Sequence, residues 1–437
     1  FKLQGSNSDG IWNENGVEFG LSVTPAPWLS KQAYFAYVVL ALTIIYLITM
    51  NQRAKSAQAI KRQKELELKV QERTIDLEEA RNLAERANRS KSDFLATVTH
   101  EIRTPMHGMI GMTELLLHTK LSDQQRKFAN AAHASGEALL QLINSILDFS
   151  KIEAERVELE NIEFDLVQLL DEVCYLQSEP ASRKSLDLLY VIKGHLPASI
   201  VSDPTKIRQI IINLTSNAIK FTESGFVKVS VEWLNAPTND HTGSISISVE
   251  DTGIGMNEDA RERIFEAFTQ ADASTTRKYG GTGLGLAISK RFIDLLSGEI
   301  FVESEIDVGT KIKIVVPAKI SAKERSLIEW GGNKIILLAK NSNTIEAASS
   351  HLDFAGIQYS TTVDWREALS NIYSNTALLV DFSYFEDNDD ANIFIQSCSS
   401  EKLILLCPLR AETSNVNDSV SHIITKPLTS SALIQNL

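Results

Sequence analysis

An uncharged apolar stretch near the N-terminus constrains this chain more than any other feature. Between Lys31 and Arg53 no residue is charged, and residues 33–50 are almost wholly apolar. As an α-helix, residues 32–52 span about 30 Å, the thickness of one hydrocarbon core. A buried core helix and a signal peptide are the alternatives, but a signal peptide needs a basic start, and strand-like residues come first here. The sequence therefore predicts a transmembrane helix over residues 33–52.

Basic residues flank the predicted span unequally. Only Lys31 lies close before it, whereas five cations follow it within residues 53–64. Cytoplasmic flanks of membrane helices carry the excess of Lys and Arg. Everything after Met50 is therefore expected in the cytoplasm, and the span is expected to be single-pass in this chain.

Composition removes several classes of function. A length of 437 residues suggests about two to four domains. The net charge of −13 argues against a nucleic-acid-binding surface, so no direct nucleic-acid partner is expected. The chain has only three cysteines, Cys174, Cys398 and Cys407, and none of them is in CxxC spacing. This excludes a disulfide scaffold and a cysteine zinc site.

A charged run without Gly or Pro extends over residues 52–101. Positions that are alternately four and three residues apart are mostly apolar, which favours a parallel two-stranded coiled coil and hence a homodimer. A single solvated amphipathic helix is the alternative. We expect the coiled-coil linker over residues 53–92. The stripe is Leu66, Val70, Arg73, Leu77, Ala80, Ala84, Ala87, Lys91, Phe94, Val98 and Glu101.

One histidine follows this stripe in a distinctive sequence. Val98 occupies an a position and His100 a c position, so the imidazole is expected to face solvent on a rigid helix. Position alone is a poor indicator, because the chain has eight histidines. The string FLATVTHEIRTP, however, resembles the H box of sensor histidine kinases and matches its six residues HEIRTP without departure.

The resemblance implies three catalytic roles. His100 would accept the phosphoryl group, Glu101 would assist proton removal in the kinase step, and Thr104 would orient water if the protein also acts as a phosphatase. Helix geometry puts Thr104 on the face of His100, whereas Glu101 is rotated by ~100°. Pro105 can supply a bend that brings Glu101 closer.

A second amphipathic helix is predicted over residues 123–149. Two such hairpins from two chains would form a four-helix bundle. We therefore expect a dimerisation and phosphoacceptor domain over residues 93–158. The alternating residues 1–32 indicate β-hairpins and resemble the last strands of the immunoglobulin-like module of periplasmic sensor kinases. That resemblance implies an incomplete periplasmic β module that begins before residue 1.

Four segments between residues 164 and 317 resemble, in order, the N, G1, F and G2 boxes of the histidine-kinase ATPase domain. They are IRQIIINLTSNAIKFT, VEDTGIGM, IFEAFTQAD and KYGGTGLGLAISK. Alone, each is ambiguous: Asn213 and Asn217 share a helical face that could simply be solvated. GGTGLG has dinucleotide-fold spacing, but no buried strand precedes it, so we reject a Rossmann site. Glycines ahead of a helix still offer backbone amides to phosphates.

The resemblance implies a site for ATP and Mg²⁺. Asn217 would ligate Mg²⁺ through its amide oxygen, a hard ligand suited to that ion. Asn213 would line the phosphate side and Lys220 would contact phosphate. Asp251 would accept a hydrogen bond from the adenine amino group.

Glycines would complete this nucleotide site. Gly253 and Gly255 would let the backbone approach the base. Gly281, Gly283 and Gly285 would form a lid over the triphosphate. Phe265 and Phe268 would anchor the hinge side of that lid, although plain packing accounts for them equally well.

The C-terminal segment alternates apolar strands and helices, which predicts a doubly wound α/β domain. It resembles a response-regulator receiver, with Asp381 at the phosphoacceptor position and Lys426 in the Lys-Pro pair. Lys340 and Asn341 stand where receivers carry the acidic residues that hold Mg²⁺, and Cys407 replaces the usual Ser or Thr. We therefore expect a degenerate receiver, in which Lys340 could pair with Asp381 instead of a metal.

The predicted fold is multidomain: a membrane helix and coiled coil, a four-helix-bundle dimerisation domain, an α+β ATPase domain and an α/β flavodoxin-like receiver domain. The last two are expected over residues 159–320 and 333–437, with a linker at 321–332. The predicted protein is a hybrid sensor histidine kinase of the bacterial inner membrane. It would autophosphorylate from ATP and pass the phosphoryl group to an aspartate of a receiver in cis or trans. A catalytically silent dimeric scaffold and a gyrase-like ATPase are the alternatives. The natural chain is expected to continue past residue 437.

Overall fold

The protein is described here from a computed structural model. The structure describes residues 2–20, 26–154, 157–235, 242–269, 283–321, 334–370, 376–385, 394–395, 397–398, 403–409 and 420–436. Contacts divide the chain into two compact units, residues 1–89 and 90–437. The predicted linker residues 322–332 lie outside the described ranges.

The first unit begins with a small hairpin. Strand β1 (Lys2–Leu3) pairs antiparallel with β2 (Val17–Glu18), and Ser6 and Trp12 form a further bridge. A short 3₁₀ turn, Pro27–Leu29, leads to the first long helix. The hairpin expected from the alternating sequence is therefore present.

Helix α1 (Lys31–Leu117) is one continuous element of 87 residues. Its N-terminal part contains a stretch that is long and apolar enough to cross a membrane, and none of that stretch is buried. Along the predicted heptad stripe, Leu66, Val70 and Leu77 expose more than half of their surface. The helix continues through Pro105, since a proline removes one helical donor without necessarily ending the helix.

Helix α2 (Asp123–Glu153) folds back against the end of α1. Ser122 and Gln125 form a capping box that starts it, with both reciprocal bonds present. The helices approach closely, because a Cβ on Gly136 would lie 2.9 Å from Cγ1 of Ile110. The helix extends four residues past the predicted end at residue 149.

A seven-stranded sheet forms the centre of the next region. Its order is β3-β5-β9-β7-β6-β4, with β8 paired to β9, and only the β4–β6 pair is parallel. The strands are β3 (Ile162–Phe164), β4 (Asp187–Lys193), β5 (Ile200–Ser202), β6 (Phe226–Asn235), β7 (Thr242–Asp251), β8 (Glu299–Glu305) and β9 (Gly309–Ile320). This mixed sheet has the α+β character that the sequence predicts.

Three helices bury their apolar faces on this sheet. Leu170 of α3 (Leu166–Arg183), Ile211 of α4 (Pro204–Phe221) and Phe292 of α6 (Gly285–Leu295) all lie in one core cluster with strand residues. A short helix, α5 (Glu258–Arg263), precedes α6. Residues 228–233 and 244–250 alternate in polarity, which is typical of strands, and they lie within β6 and β7.

A five-stranded parallel sheet forms the C-terminal region, in the order β11-β10-β12-β13-β14. This is the flavodoxin-like order 2-1-3-4-5, and the parallel pairing agrees with the apolar strand runs of the sequence. Its strands are β10 (Lys334–Leu338), β11 (Tyr359–Thr362), β12 (Thr376–Asp381), β13 (Leu403–Cys407) and β14 (His422–Thr425). Its helices are α7 (Ser342–Ala355), α8 (Trp365–Ser370) and α9 (Ser430–Asn436).

The two sheet regions contact each other through β4 and α7. Tyr190 faces the helical core of the first sheet, whereas Leu189 and Val191 point to the opposite face and pack against Ala347 of α7. At the open edge of β4, the backbone N–H of Ile192 donates to Oγ of Ser350 over 3.1 Å. Helix α7 therefore covers a sheet edge that would otherwise expose unpaired backbone groups.

Candidate active site

His100 lies on α1 with its side chain exposed, as the heptad frame predicts. Its neighbour Thr99 is 4% exposed and Val98 is half-buried, so the imidazole and the packed face diverge. One turn later, Oγ1 of Thr104 donates to the backbone carbonyl of His100 over 3.3 Å. Glu101 is also exposed. The imidazole therefore projects from the helix into solvent.

A polar contact fixes the hairpin close to this histidine. Arg103, half-buried on α1, donates from Nη2 to Oδ1 of Asn144 on α2 over 3.1 Å. Arg103 belongs to the H-box string but received no role from the sequence. Its contact shows that it joins the two helices three residues after His100.

Helix α4 carries two asparagines on one half-buried face. Nδ2 of Asn217 donates to Oδ1 of Asn213 over 3.4 Å, and Nδ2 of Asn213 donates to Oγ of Ser289 on α6 over 2.8 Å. Because Asn217 uses its amide nitrogen for this bond, its amide oxygen can still act as an acceptor. An amide oxygen is the type of ligand that Mg²⁺ prefers. Asn213 instead joins α4 to α6.

Gly285 begins α6 directly against Asn213. A Cβ at this position would overlap Oδ1 of Asn213. The glycine is therefore required by the close approach of the two helices, which is a packing role beyond the predicted part in a lid. Gly281 lies outside the described residues.

A tight loop follows β7 at Asp251. The backbone N–H of Gly253 donates to Oδ1 of Asp251 over 2.8 Å. Gly255 has a φ of +63°, and a Cβ there would overlap the carbonyl oxygen of Glu305. Gly309 has a φ of +135°, and a Cβ there would overlap the carbonyl oxygen of Asp251. The loop can hold this shape only with glycine at both positions.

The charge state of Asp251 reflects its half-buried position. Burial raises the pKa of this carboxyl above its ordinary value. Hydrogen bonds from the backbone of Gly253 and Thr310 oppose that shift, and the nearby side chain of Thr222 opposes it too. A desolvated carboxylate beside a backbone cradle suits an exocyclic amino donor such as that of adenine.

Lys220 lies on the last turn of α4, half-buried. Burial lowers the pKa of its ammonium, and the positive charge of Lys184 lowers it further. Its Nζ lies 4.8 Å from the ring centroid of Phe221. A desolvated cation on this face can neutralise an anionic ligand.

Phe268 contacts both Gly283, a predicted lid residue, and the second helix of the hairpin, α2. Its backbone N–H donates to the carbonyl of Gly283 over 3.2 Å, and its ring meets Phe149 of α2 edge-on at 6.1 Å between centroids. Gly283 has a φ of +68°, which favours glycine. The hinge role predicted for Phe268 thus has a direct contact to Gly283, whereas Phe265 is half-buried without a comparable bond among the described contacts.

No group of three or more His, Cys, Asp or Glu side chains among the described residues is placed to hold a metal ion. A divalent ion at this site would depend on the amide oxygen of Asn217 and on oxygens of the ligand itself. Mg²⁺ is commonly held in this way, by few protein ligands together with substrate phosphates. The donor set therefore fits Mg²⁺ bound with a nucleotide.

In the C-terminal region, the ion pair of Asp381 is not the one that the sequence suggests. Asp381, buried at the end of β12, pairs with Lys426, whose Nζ lies 2.8 Å from Oδ1. Nζ of Lys340 instead lies 4.5 Å from the ring centroid of Tyr384. The suggested pair between Lys340 and Asp381 is wrong, because Lys426 reaches the carboxylate and an aromatic ring holds the Lys340 ammonium.

Several residues of the site were missed from the sequence. Ser289 and Thr222 contact Asn213 and Asp251 across helix and strand boundaries, which no spacing rule could give. Gly309 had a usable signal, since a glycine between two strands often marks a turn or a close backbone approach.

Family models match two adjacent regions. Residues 90–155 match the His Kinase A (phospho-acceptor) domain. Residues 202–320 match the histidine kinase-, DNA gyrase B-, and HSP90-like ATPase. The two matches cover His100 and the asparagine, aspartate and glycine positions described above between Asn213 and Gly309.

Curated relatives and a solved structure give the same picture. The chain is 40% identical over 292 residues to the sensor protein GacS of Pseudomonas syringae pv. syringae, covering 66% of this chain and 32% of that protein. It is 31% identical over 481 residues to Histidine kinase 3 of Arabidopsis thaliana, covering 94% and 45% respectively. The structure of full-length ShkA in complex with AMPPNP is 30% identical, with a TM-score of 0.62, covering 79% of this chain and 71% of ShkA. The chain spans less than half the length of the curated relatives that it matches.

Proposed function

The chain belongs to the hybrid sensor histidine kinases, and from that premise we propose that it transfers the γ-phosphoryl group of ATP to His100. The observation that carries this proposal is the arrangement around His100. An exposed imidazole stands on a rigid helix, while a separate domain matches the histidine-kinase ATPase family and has the backbone cradle and half-buried polar face of a nucleotide site. Acceptor and donor are thus built separately, as a transfer between them requires.

In the proposed reaction, a neutral imidazole nitrogen of His100 attacks the γ-phosphorus. A nitrogen–phosphorus bond forms, the bond to the bridging oxygen breaks, and ADP leaves. Imidazole has an unperturbed pKa of ~6.5, so the neutral form is plentiful near neutral pH. Glu101 takes up the proton that the ring loses, and Thr104 orients water when the phosphoryl group is instead hydrolysed from the regulator.

At the nucleotide site, each described side chain has one task. Asp251 accepts a hydrogen bond from the adenine amino group, with Gly253 and Gly255 allowing the base to lie against the backbone. Lys220 contacts phosphate and Asn213 orders that side of the site. Asn217 holds Mg²⁺, which when bound neutralises charge on the phosphoryl oxygens. Gly281, Gly283 and Gly285 form the lid over the triphosphate.

The protein acts as a homodimer in this proposal, because the hairpin of α1 and α2 leaves large apolar side chains exposed. Met109, Met112, Leu115 and Phe128 each expose more than half of their surface. A second hairpin would bury them in a four-helix bundle. The apolar stretch at the start of α1 anchors the dimer in the bacterial inner membrane, with the catalytic domains in the cytoplasm.

The phosphoryl group then passes to an aspartate of a receiver domain, in cis or in trans. The C-terminal sheet has the flavodoxin-like strand order of a receiver, but Lys340 and Asn341 occupy the positions of the metal-binding acids. We place it as a degenerate receiver, so the working acceptor lies in another domain or chain.

Labelled ATP tests the central step. The purified full chain in detergent micelles should acquire acid-labile, base-stable phosphate, and His100→Gln should abolish the label while keeping its affinity for Mg·ADP. Label that persists on His100→Gln would overturn the assignment. A chain that binds ATP without ever acquiring label would favour the silent scaffold, and steady ATP hydrolysis without label would favour a gyrase-like ATPase.

A further inference from the structure

Lys184 lies outside all four boxes, at the residue that follows α3, yet its side chain reaches the end of α4. Its Nζ donates to the backbone carbonyls of Ile219 over 2.8 Å, Lys220 over 2.7 Å and Thr222 over 3.1 Å. An ammonium carries three protons, and all three of these acceptors lie within hydrogen-bond distance of it. One lysine thus binds three carbonyls of a single turn.

The turn it binds is the C-terminus of α4, where carbonyls have no partner within the helix. The two carbonyls of this turn that Lys184 does not reach also have partners. The carbonyl of Ala218 accepts from Thr222, and the carbonyl of Phe221 accepts from the backbone N–H of Ile254 over 3.4 Å. Lys184 therefore completes the hydrogen bonding of this turn.

Two parts of the nucleotide site are attached to the same turn. Lys220 is one of its residues. The loop after Asp251 rests on it through the bond from the backbone N–H of Ile254 to the carbonyl of Phe221. The side chain of Thr222, which caps the turn, lies beside the Asp251 carboxyl. A displacement of this turn would therefore move the phosphate contact and the adenine contact together.

The turn also has an electrostatic problem that Lys184 offsets. A helix C-terminus carries partial negative charge, which repels an anion. Lys220 is proposed to contact phosphate at just such an end. The ammonium of Lys184 sits on the carbonyls that carry the negative charge, and its own charge is close enough to lower the pKa of Lys220.

We propose that Lys184 is a positioning residue for the nucleotide. It fixes the last turn of α4, and through that turn it places Lys220 and the loop of Asp251 for ATP. It touches no reacting atom, so it acts on nucleotide binding and leaves the rate of phosphoryl transfer from bound ATP nearly unchanged. This inference rests on the proposed nucleotide site.

Lys184→Met tests it, because methionine keeps much of the stem and removes the charge and all three donors. Arg183→Met is the matched control, since Arg183 is the adjacent cation and forms its ion pair with Glu179 of its own helix. Lys184→Arg keeps the charge and donors in a different geometry. The full chain in detergent micelles is measured for Mg·ADP affinity, for KM of ATP and for the labelling rate at saturating ATP.

We expect Lys184→Met to weaken Mg·ADP binding and to raise KM about tenfold, the size of losing charged hydrogen bonds. The labelling rate at saturating ATP should stay within about twofold of the wild-type rate, and Lys184→Arg should recover part of the affinity. Unchanged affinity in Lys184→Met, an equal loss in Arg183→Met, or a fall in rate with unchanged KM would overturn the inference.

If Lys184→Met fails to fold, Lys184→Arg decides the matter. Wild-type affinity in this variant, which cannot reproduce the three-carbonyl geometry, would contradict a positioning role. Wild-type protein that binds no Mg·ADP would instead refute the proposed function.

Discussion

The ammonium nitrogen of Lys426 lies 2.8 Å from Oδ1 of Asp381, and the two side chains expose only 11% and 2% of their surface. This buried pair stands at the carboxyl end of the parallel sheet, where a receiver would bind Mg²⁺ and accept a phosphoryl group. Lys340 and Asn341 follow β10, where a receiver would carry its metal-binding acids. The ammonium of Lys340 lies over the ring of Tyr384, and Asn341 caps α7. One carboxylate that is already paired binds Mg²⁺ poorly.

We therefore expect Asp381 to accept no phosphate from phospho-His100. The measurement is a phosphotransfer time course with wild-type protein and with Asp381→Ala. Both should lose label from His100 at the same rate and form no acyl phosphate. Acid-stable, base-labile phosphate that is present in the wild type and missing in Asp381→Ala would show an active receiver.

Gly285→Ala should weaken nucleotide binding strongly. The added Cβ overlaps Oδ1 of Asn213, so α4 and α6 must separate or the asparagine must leave its bond to Ser289. We expect a loss of Mg·ADP affinity of about 5- to 150-fold, since overpacking at a rigid contact costs about 1–3 kcal/mol. Gly108→Ala is the control for binding, because a Cβ there meets nothing within 4 Å. Equal affinities for the two variants would show that Asn213 and Gly285 do not shape the site.

Asp251→Asn should reduce ATP affinity and change its dependence on pH. The carboxyl has a raised pKa, so on acidification it becomes protonated at a higher pH than an ordinary aspartate, whose value is 3.8. Nucleotide affinity in the wild type should therefore fall with decreasing pH in the mildly acidic range, and Asp251→Asn should lack that component. Titration of ADP itself is common to both proteins, so the difference between their pH profiles isolates Asp251. Parallel profiles would argue that another group meets the adenine.

Much of this architecture followed from local sequence. The α4 helix, strands β6 and β7 and the parallel C-terminal sheet were all predictable, because each has a clear period or an uninterrupted apolar run. The solvent exposure of His100 followed from a heptad frame. These features depend on neighbours in sequence, which is the information that periodicity contains.

The contact between the two sheet regions was not predictable in this way. The run DLLYVIK of β4 is apolar on both faces, which is typical of a strand that is covered on both sides. The sequence does not indicate that α7 is the element that covers the second face. The bonds of Lys184 to α4 and of Lys426 to Asp381 join residues 35 or more positions apart, so only the folded chain reveals them.

That contact contains a buried histidine with a testable consequence. His351 of α7 is fully buried; its Nε2 lies 3.0 Å from the carbonyl oxygen of Tyr190, and its Nδ1 lies 2.8 Å from Oγ of Ser430. Burial lowers the pKa of this imidazole to about 4. As the pH falls from ~6.5 towards 4, His351 becomes protonated when the contact is open but stays neutral when the contact is packed.

We expect the contribution of His351 to the stability of the contact to be complete above pH ~6.5 and to fall by up to about 3 kcal/mol by pH 4, at ~1.4 kcal/mol per unit of pKa difference. Nearby Asp171, whose oxygen accepts from Ser431, has a raised pKa and favours the packed state at low pH, which opposes the effect of His351 in the wild type. His351→Gln removes only the histidine contribution, so its opening free energy should fall less on acidification. Hydrogen–deuterium exchange of residues 342–355 at pH 7.5 and 5, corrected for intrinsic exchange, measures this. Ser350→Ala is the control, because it removes a bond of the same contact without removing a titratable group, and it should keep the wild-type slope. A His351→Gln slope equal to that of Ser350→Ala would show that His351 stays neutral in both states.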